Sequence, residues 1–402
     1  MPPTTDVLVI GGGPAGSAAA RRLALGGLRV VLVDRSVFPR DKVCGDAIIP
    51  DALEAIGALG LDPAVRAAAR FLEGVTVFVP DGTAVAIGGE CACLPRARLD
   101  RILQQAAIDA GASFRAPFTL VAWQNGDGSA TATFKSRASD GQVVEIRPRV
   151  TILATGAGIE GIARSGVVER REPSAVALRG YFQVPPEISR AYRHLCISYD
   201  RHVLPGYGWI FPGPDDVFNL GVGCFLDART LQPTLNLAAL WRAFTTRFEP
   251  ARRLVETSRQ LGAMKGAPLR TALRGTGLHR PGLLVVGEAA GTTYSFSGEG
   301  IGKAMATGLV AADVVLEHAR RSQPLDSTGP EYEARVRGRF GEQFAAYASA
   351  QRWLERPWLA NLIAARARRS AFAARQLHGM FTETTDPRAL FSVGGLLRTL
   401  VS

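Results

Sequence analysis

Cysteine, histidine and especially lysine are scarce in this chain. Five cysteines in 402 residues, an odd number without framework spacing, exclude a disulfide scaffold and give the expectation of a reducing, cytoplasmic compartment. Cys91 and Cys93 stand two apart with no further Cys or His pair nearby, so no zinc site and no other metal is assigned. No run approaches the ~20 apolar residues of a membrane span. The polar opening, Met1 to Asp6, carries no signal-peptide pattern. Repeats and low-complexity tracts are also lacking. Lys42, Lys135, Lys265 and Lys303 are the only lysines among 47 basic residues, so the formal net charge of +11 is an arginine charge. No helix-turn-helix, zinc or RNA-binding signature accompanies it, which argues against a nucleic-acid partner. Solvated surface is the plain reading of that charge. A diphosphate, an anionic lipid surface or an acidic carrier protein are the partners it would attract.

What is present is a core-forming composition with glycine-rich punctuation. With 47% hydrophobic and 21% charged residues, 402 residues fit a globular protein of two or three domains. Val7 to Ile10 is a short apolar run followed at once by Gly11-Gly-Gly13-Pro14-Ala15-Gly16, an Ala-rich helical stretch to Leu25, and a second strand, Arg29 to Val33, ending in Asp34. This is a βαβ dinucleotide fingerprint, with its acid ~20 residues after the glycines. Gly11 permits the tight turn, Gly13 lets the backbone approach a pyrophosphate, and Gly16 lets helix and strand pack. Asp34 is placed to accept from an adenosine ribose. Far downstream, Leu283 to Val286 leads into Gly287-Glu288, then Gly298-Glu-Gly300-Ile301 and a helix. Its backbone N–H groups again suit an anion or a flavin carbonyl. Val150 to Gly156 is a third strand ending in glycine, beside the same nucleotide.

Residues 207 to 223 read Tyr-Gly-Trp-Ile-Phe-Pro, eight residues, then Gly-Val-Gly. On a strand, Tyr207, Trp209 and Phe211 share one face. Gly221 and Gly223, on the returning strand, would leave a smooth trough. Such a hairpin alone equally describes an ordinary sheet core. Flanked by nucleotide-binding segments, it reads as the wall of a pocket for a long apolar ligand.

In this order the pieces resemble the p-hydroxybenzoate hydroxylase superfamily of flavoproteins, and within it the geranylgeranyl reductase family. The motifs that carry the resemblance are Gly11, Gly13, Gly16 and Asp34; Lys42-Val-Cys44-Gly45; Arg96, Leu99 and Asp100; Gly298 to Ile301; and Tyr207, Trp209, Phe211, Pro212, Gly221 and Gly223. The resemblance implies an α/β fold: a Rossmann-type FAD-binding domain interleaved with an antiparallel-sheet substrate domain and a helical C-terminal region. The expected divisions are 1–70, 96–170 and 275–325 for FAD, 71–95 and 171–274 for substrate, and 326–402 for the helical region. Pro14, Ala15, Arg35, Lys42, Cys44, Gly45, Arg96, Gly156, Gly287, Glu288, Gly298, Gly300 and Ile301 join the fingerprint residues as cofactor contacts. Pro212, Gly221 and Gly223 join the three aromatics as substrate contacts. The implied activity is hydride transfer from reduced FAD to a carbon-carbon double bond of an elongated, isoprenoid-like substrate. Cys44 beside the flavin is the implied proton donor or ring-tuning group, with Tyr207 and Asp46 as further acids.

Departures from the family pattern bear on the donor and the chemistry. Thr155 stands where the superfamily has an Asp associated with NAD(P)H, so the electron donor is NAD(P)H or a reduced carrier, the latter requiring a redox partner. Glu288 replaces an Asp, and Ser295 a proline. The rival reading is an FAD monooxygenase acting on a specialised metabolite. A halogenase would carry Trp-x-Trp-x-Ile-Pro, which is absent. In the C-terminal region, Trp358, Leu359, Leu362 and Ile363 form a short apolar helical face with Arg366, Arg368 and Arg369 following. Packing on its own domain is the plain reading of that helix, and peripheral contact with a membrane the alternative.

Overall fold

Two eight-stranded sheets organise the chain. The computed structural model describes residues 4–126, 129–138, 141–226 and 236–401. In the first sheet, Thr4–Ile10 lies between Val30–Val33 and Val143–Leu153, all parallel, with Val7 paired to Val30 and Val150. Leu283–Val285 extends it parallel to Val143–Leu153, and Ser113–Arg115 extends the other side beyond Val30–Val33. Val7, Leu8, Val9, Leu32, Ile152 and Leu284 are fully buried, as expected where helices cover both faces of a parallel sheet. One face carries the helix Pro14–Leu25, packed against Arg96–Asp109 and Ile301–Arg320. A Cβ at Gly308 would lie 2.3 Å from the Ala15 carbonyl oxygen, so glycine sets the close approach of the first and last of these helices.

The second sheet runs Arg259–Leu269, Ala175–Gln183, Val217–Phe225, Gly206–Pro212, Leu195–Ser198, Arg70–Phe78, Ala84–Cys93, Ala47–Ile48. It is antiparallel except where Leu195–Ser198 runs parallel to Arg70–Phe78. The exception follows from topology, because between these strands the chain leaves for the first sheet and returns. The sequence pattern predicts a helix over Leu235 to Phe248; Leu235 lies outside the described residues, and the helix there spans Leu237–Arg247.

The C-terminal region is helical, with Gly329–Leu354, Pro357–Ala367, Ala371–Phe381 and Val393–Val401. Pro357 opens a new helix and Pro387 a short 3-10 turn, as their missing N–H groups favour. The expected apolar face of Pro357–Ala367 is split. Leu359 and Ile363 are buried beside Ala360 and Ala364, whereas Trp358 is 61% exposed. At 3.6 residues per turn the inward stripe falls on 359, 360, 363 and 364, and Trp358 lies one position off it.

Candidate active site

One cavity of about 460 Å³ runs along the seam between the two sheets. Its nucleotide end is built on the turn after Thr4–Ile10. Gly11 has φ +111, and a Cβ there would lie 2.2 Å from the Ala154 carbonyl oxygen; on Gly16 it would lie 1.8 Å from the Gly11 oxygen. Both glycines are therefore needed for packing. Gly13 has nothing nearer than Arg40 Nη2 at 3.5 Å, which leaves its backbone open toward the cavity. Asp34 accepts from the Gly12 N–H at 2.7 Å and the Ser36 N–H at 2.8 Å. Arg40 and Arg96 converge on Asp100, Arg40 Nη1 at 3.0 Å and Arg96 in a bidentate pair at 2.8 and 2.9 Å. A helix N-terminus, an open glycine and two held guanidinium groups make a pyrophosphate cradle, and these residues fit FAD.

Of the expected cofactor contacts, Gly11, Gly13, Pro14, Ala15, Asp34, Arg35, Lys42, Cys44, Gly45, Arg96, Gly156, Glu288, Gly298, Gly300 and Ile301 border this cavity. Gly16 and Gly287 lie behind it. Gly287 has φ +63 and packs on Ala15, 2.7 Å from where its own Cβ would stand. Lys42 Nζ faces Glu288 Oε2 at 3.5 Å, and both residues border the cavity. Thr155 Oγ1 is buried with no hydrogen-bond partner among the described residues.

The aromatic wall meets the Lys42 to Asp46 loop directly. Tyr207, Trp209 and Phe211 all face the cavity, while Ile210 and the Gly208 face turn toward Phe244 on the other side of the sheet. A Cβ on Gly45 would lie 2.8 Å from Phe211 Cε2. Trp209 Nε1 donates to Asn219 Oδ1 at 2.9 Å, and Asn219 Nδ2 donates to the Cys44 carbonyl at 2.8 Å and to Asp46 Oδ2 at 2.7 Å. The Tyr181 hydroxyl adds a 2.6 Å bond to Asp46 Oδ2, and the Arg96 N–H bonds Asp46 Oδ1 at 3.1 Å. With φ +69, Asp46 turns the loop back on itself, and its carboxylate is fully enclosed. Burial raises it to about 6 despite these donors. Asp41, at the loop's other end, is paired with buried Arg179 and, at 2.7 Å, with Lys265.

The expected trough differs from what forms. Gly221 is opposite Trp209 in register, and a Cβ there would lie 2.2 Å from Trp209 Cζ2, so the indole itself fills the space. Gly223, opposite Tyr207, borders the cavity; Gly221 and Pro212 do not. Tyr207 donates its hydroxyl to the Ser297 carbonyl at 2.6 Å, tying the hairpin to the segment before Gly298. The Cys44 thiol is partly accessible through the cavity. Burial pushes it up and the Arg96 guanidinium opposes, so it stays neutral near pH 7.

Arg40 and Asn219 escaped the sequence motifs. Arg40 lies two residues before Lys42, where it reads as surface charge. Asn219 falls among the eight spacer residues, yet a polar residue inside the apolar strand Val217–Phe225 signals a buried hydrogen-bonding duty.

The FAD binding domain family matches residues 4–184. A menaquinone reductase of Mycolicibacterium smegmatis is 32% identical over 326 residues, covering 77% of this chain and 76% of that protein. A digeranylgeranylglycerophospholipid reductase of Methanothermobacter thermautotrophicus is 29% identical over 365 residues, covering 87% and 86%. The crystal structure of a geranylgeranyl bacteriochlorophyll reductase-like protein from Thermoplasma acidophilum superposes with a TM-score of 0.77 at 20% identity, covering 99% of this chain and 96% of that one. With the FAD cradle, the loop of Lys42 to Asp46 and the aromatic hairpin around one cavity, the chain belongs to the geranylgeranyl reductase family of FAD-dependent oxidoreductases.

Proposed function

We propose that this enzyme reduces a carbon-carbon double bond of an elongated apolar, isoprenoid-like substrate. The observation that carries the reading is the arm of the cavity beyond Tyr207 and Trp209. It runs between the strands Arg70–Phe78 and Ala84–Cys93 and the helices Pro357–Ala367 and Ala371–Phe381. Val75, Val77, Ile87, Ile363, Ala364 and Met380 line it. An isolated alkene offers no polar handle, so position along such an arm must select the bond that reacts. The names of the menaquinone and digeranylgeranylglycerophospholipid reductases support a substrate with a prenyl chain.

Bound FAD, once reduced, supplies hydride; the chain's part is to bind, orient and exclude water. Tyr207, Trp209 and Phe211 form one side of the reacting region. Trp209 is held in a single orientation by Asn219, and Tyr207 by Ser297. The Lys42 to Asp46 loop, in contact with this wall, brings the neutral Cys44 thiol to the same region. Glu288 paired with Lys42 keeps charge on the cavity wall, where the pair would stand beside bound FAD. The electron donor is NAD(P)H or a reduced carrier.

The deciding experiment is anaerobic. FAD-loaded protein reduced with dithionite is mixed with prenyl compounds of graded length. Flavin reoxidation accompanied by a two-hydrogen mass gain is expected. A requirement for oxygen, with product heavier by one oxygen atom, would make the enzyme a monooxygenase instead.

A further inference from the structure

A buried ionic cluster adjoins the Gly298 to Ile301 segment at the side of the cavity. Lys303, 5% exposed, donates from Nζ to Asp51 Oδ2 at 2.9 Å and to Glu383 Oε2. Gln343 Nε2 donates to the same Glu383 oxygen at 3.2 Å, and the Tyr294 hydroxyl reaches it at 3.5 Å. Glu299 Oε1 accepts from the Gly302 N–H at 3.1 Å. One carboxylate oxygen from each of Asp51, Glu299 and Glu383 lies within 4.8 Å of the other two. Asp51 Oδ1, Glu299 Oε2 and Glu383 Oε1 are all buried with no hydrogen-bond partner among the described residues. The side chains of Asp51 and Glu383 are only 10% exposed. Glu299 and Glu383 border the cavity.

Three carboxylates share a single ammonium here. Two like charges ~4 Å apart repel by about 4 kcal/mol even at an effective dielectric of ~20, so full ionisation is strongly disfavoured. A proton on an orphaned oxygen lowers the charge and turns an unpartnered acceptor into a donor. Burial, then mutual repulsion, pushes Glu299 well up and raises Glu383 to about 7, while Lys303 opposes both. Around the cluster, Glu54 adds negative charge near Asp51, Asp386 adds it near Tyr347, and Tyr294 and Tyr347 stay neutral. The other acids of the site are less well placed. The Tyr207 hydroxyl is committed to the Ser297 carbonyl, the Asp46 carboxylate is held by three donors, and the Cys44 thiol is made a weaker acid by burial.

Resting on the reductase reading, we infer that Glu299 and Glu383 hold a proton beside the cavity and that Glu299 delivers it to the substrate. As hydride from the reduced flavin forms a C–H bond at one alkene carbon, the π pair of the double bond takes the proton at its neighbour. The Glu299 O–H bond breaks, Lys303 offsets the carboxylate left behind, and water refills the pair through Glu383. Alkene and two-electron donor thus give alkane and oxidised flavin, with one solvent proton consumed.

Infrared difference spectroscopy tests the store without substrate. FAD-loaded wild type should show neutral carboxyl C=O absorption at pH 6 that shifts in D₂O, its Glu383 part fading through a midpoint near 7. Glu299→Gln and Glu383→Gln should each remove part of it. After dithionite reduction, prenyl-driven reoxidation should slow in wild type as rising pH empties the pair. Glu299→Gln should cut that rate by ~100-fold or more and flatten the profile. A band absent from wild type, one untouched by either substitution, or an unchanged pH profile in Glu299→Gln overturns the inference. So does calorimetric binding of Mg²⁺ or Mn²⁺ that Glu383→Gln abolishes, since it would make the cluster a cation site. If no prenyl compound reoxidises wild type, the reductase reading fails, while the infrared band still decides whether the store exists.

Discussion

Asn219 Nδ2 donates to the Cys44 carbonyl at 2.8 Å, joining the second sheet to the Lys42 to Asp46 loop. The same amide serves Asp46 and Trp209, so one side chain satisfies three buried groups. Asn219→Leu keeps the volume and strips all three. Each buried group left without a partner costs ~1–3 kcal/mol, partly recovered by relaxation, so a loss of about 2–4 kcal/mol is expected. Urea unfolding of the FAD-loaded protein measures it. A loss below ~0.5 kcal/mol would show that the network does not hold the loop.

Asp46 should leave a mark on stability against pH. Its carboxyl is raised from 3.8 to about 6 in the folded protein, so between those values the native state binds more protons than the unfolded chain. Stability therefore falls as pH rises through this window and is flat outside it, by ~2–3 kcal/mol in total. Asp46→Asn removes the titration, so the difference between the two unfolding curves from pH 4 to 7 isolates it. A difference that grows in favour of wild type with rising pH would have the wrong sign.

Gly221 and Gly223 should respond oppositely to the same added methyl. At Gly221 it would stand 2.2 Å from Trp209 Cζ2 and 2.6 Å from the Leu178 carbonyl, so Gly221→Ala should cost ~1–3 kcal/mol and shift tryptophan emission. At Gly223 the nearest atoms are 3.8 Å away. Gly223→Ala should fold normally and raise KM by narrowing the cavity. Equal stability in the two variants would mean that Trp209 does not rest on Gly221.

How far the site was legible in the chain depends on whether its parts are local. Gly11 to Asp34 are contiguous, and strand, turn and helix chemistry fix them, so the fingerprint could be read in order. The face shared by Tyr207, Trp209 and Phe211 followed from strand alternation. What occupies the space over Gly221 did not, because it depends on the rotamer of Trp209, which Asn219 sets. Asp46 reads as an acid of the site and does border the cavity, but the three donors from separate segments that hold its carboxylate could not be read from the chain. The split of Trp358 from Leu359 and Ile363 needed the direction in which the cavity lies. The cluster at Lys303 joins residues 51, 299, 303 and 383, and beyond the four-residue step from Glu299 to Lys303 no spacing rule links them.

Arg40 should matter for cofactor and little for fold. It stands 3.5 Å from the Cβ position of Gly13, and Asp100, its 3.0 Å partner, keeps the bidentate Arg96 when Arg40 is removed. A charge-assisted bond to phosphate is worth ~1.5–3 kcal/mol, so Arg40→Ala should weaken FAD binding ~10- to 100-fold. Fluorescence titration of apoprotein with FAD reads the affinity, and apoprotein melting reads the fold. Unchanged affinity would place the pyrophosphate elsewhere.

Chain-length selection should be set in the arm formed with the C-terminal helices. Ile363 is 5% exposed and lines that arm together with Ala364 and Met380, on a helix whose opposite side carries the exposed Trp358. Ile363→Trp adds a ring where the end of a long prenyl chain would lie. Apolar chain excluded from the arm loses ~0.8 kcal/mol per CH₂ no longer buried, so two displaced methylenes suffice for a ~10-fold fall in kcat/KM. Short prenyl substrates, which end before the ring, should keep their wild-type values, and flavin reduction by dithionite should be unaffected. The measurement is kcat/KM across a series of chain lengths for both proteins. An equal loss at every length would mean that the substitution perturbs the reacting region and that the chain runs in another direction.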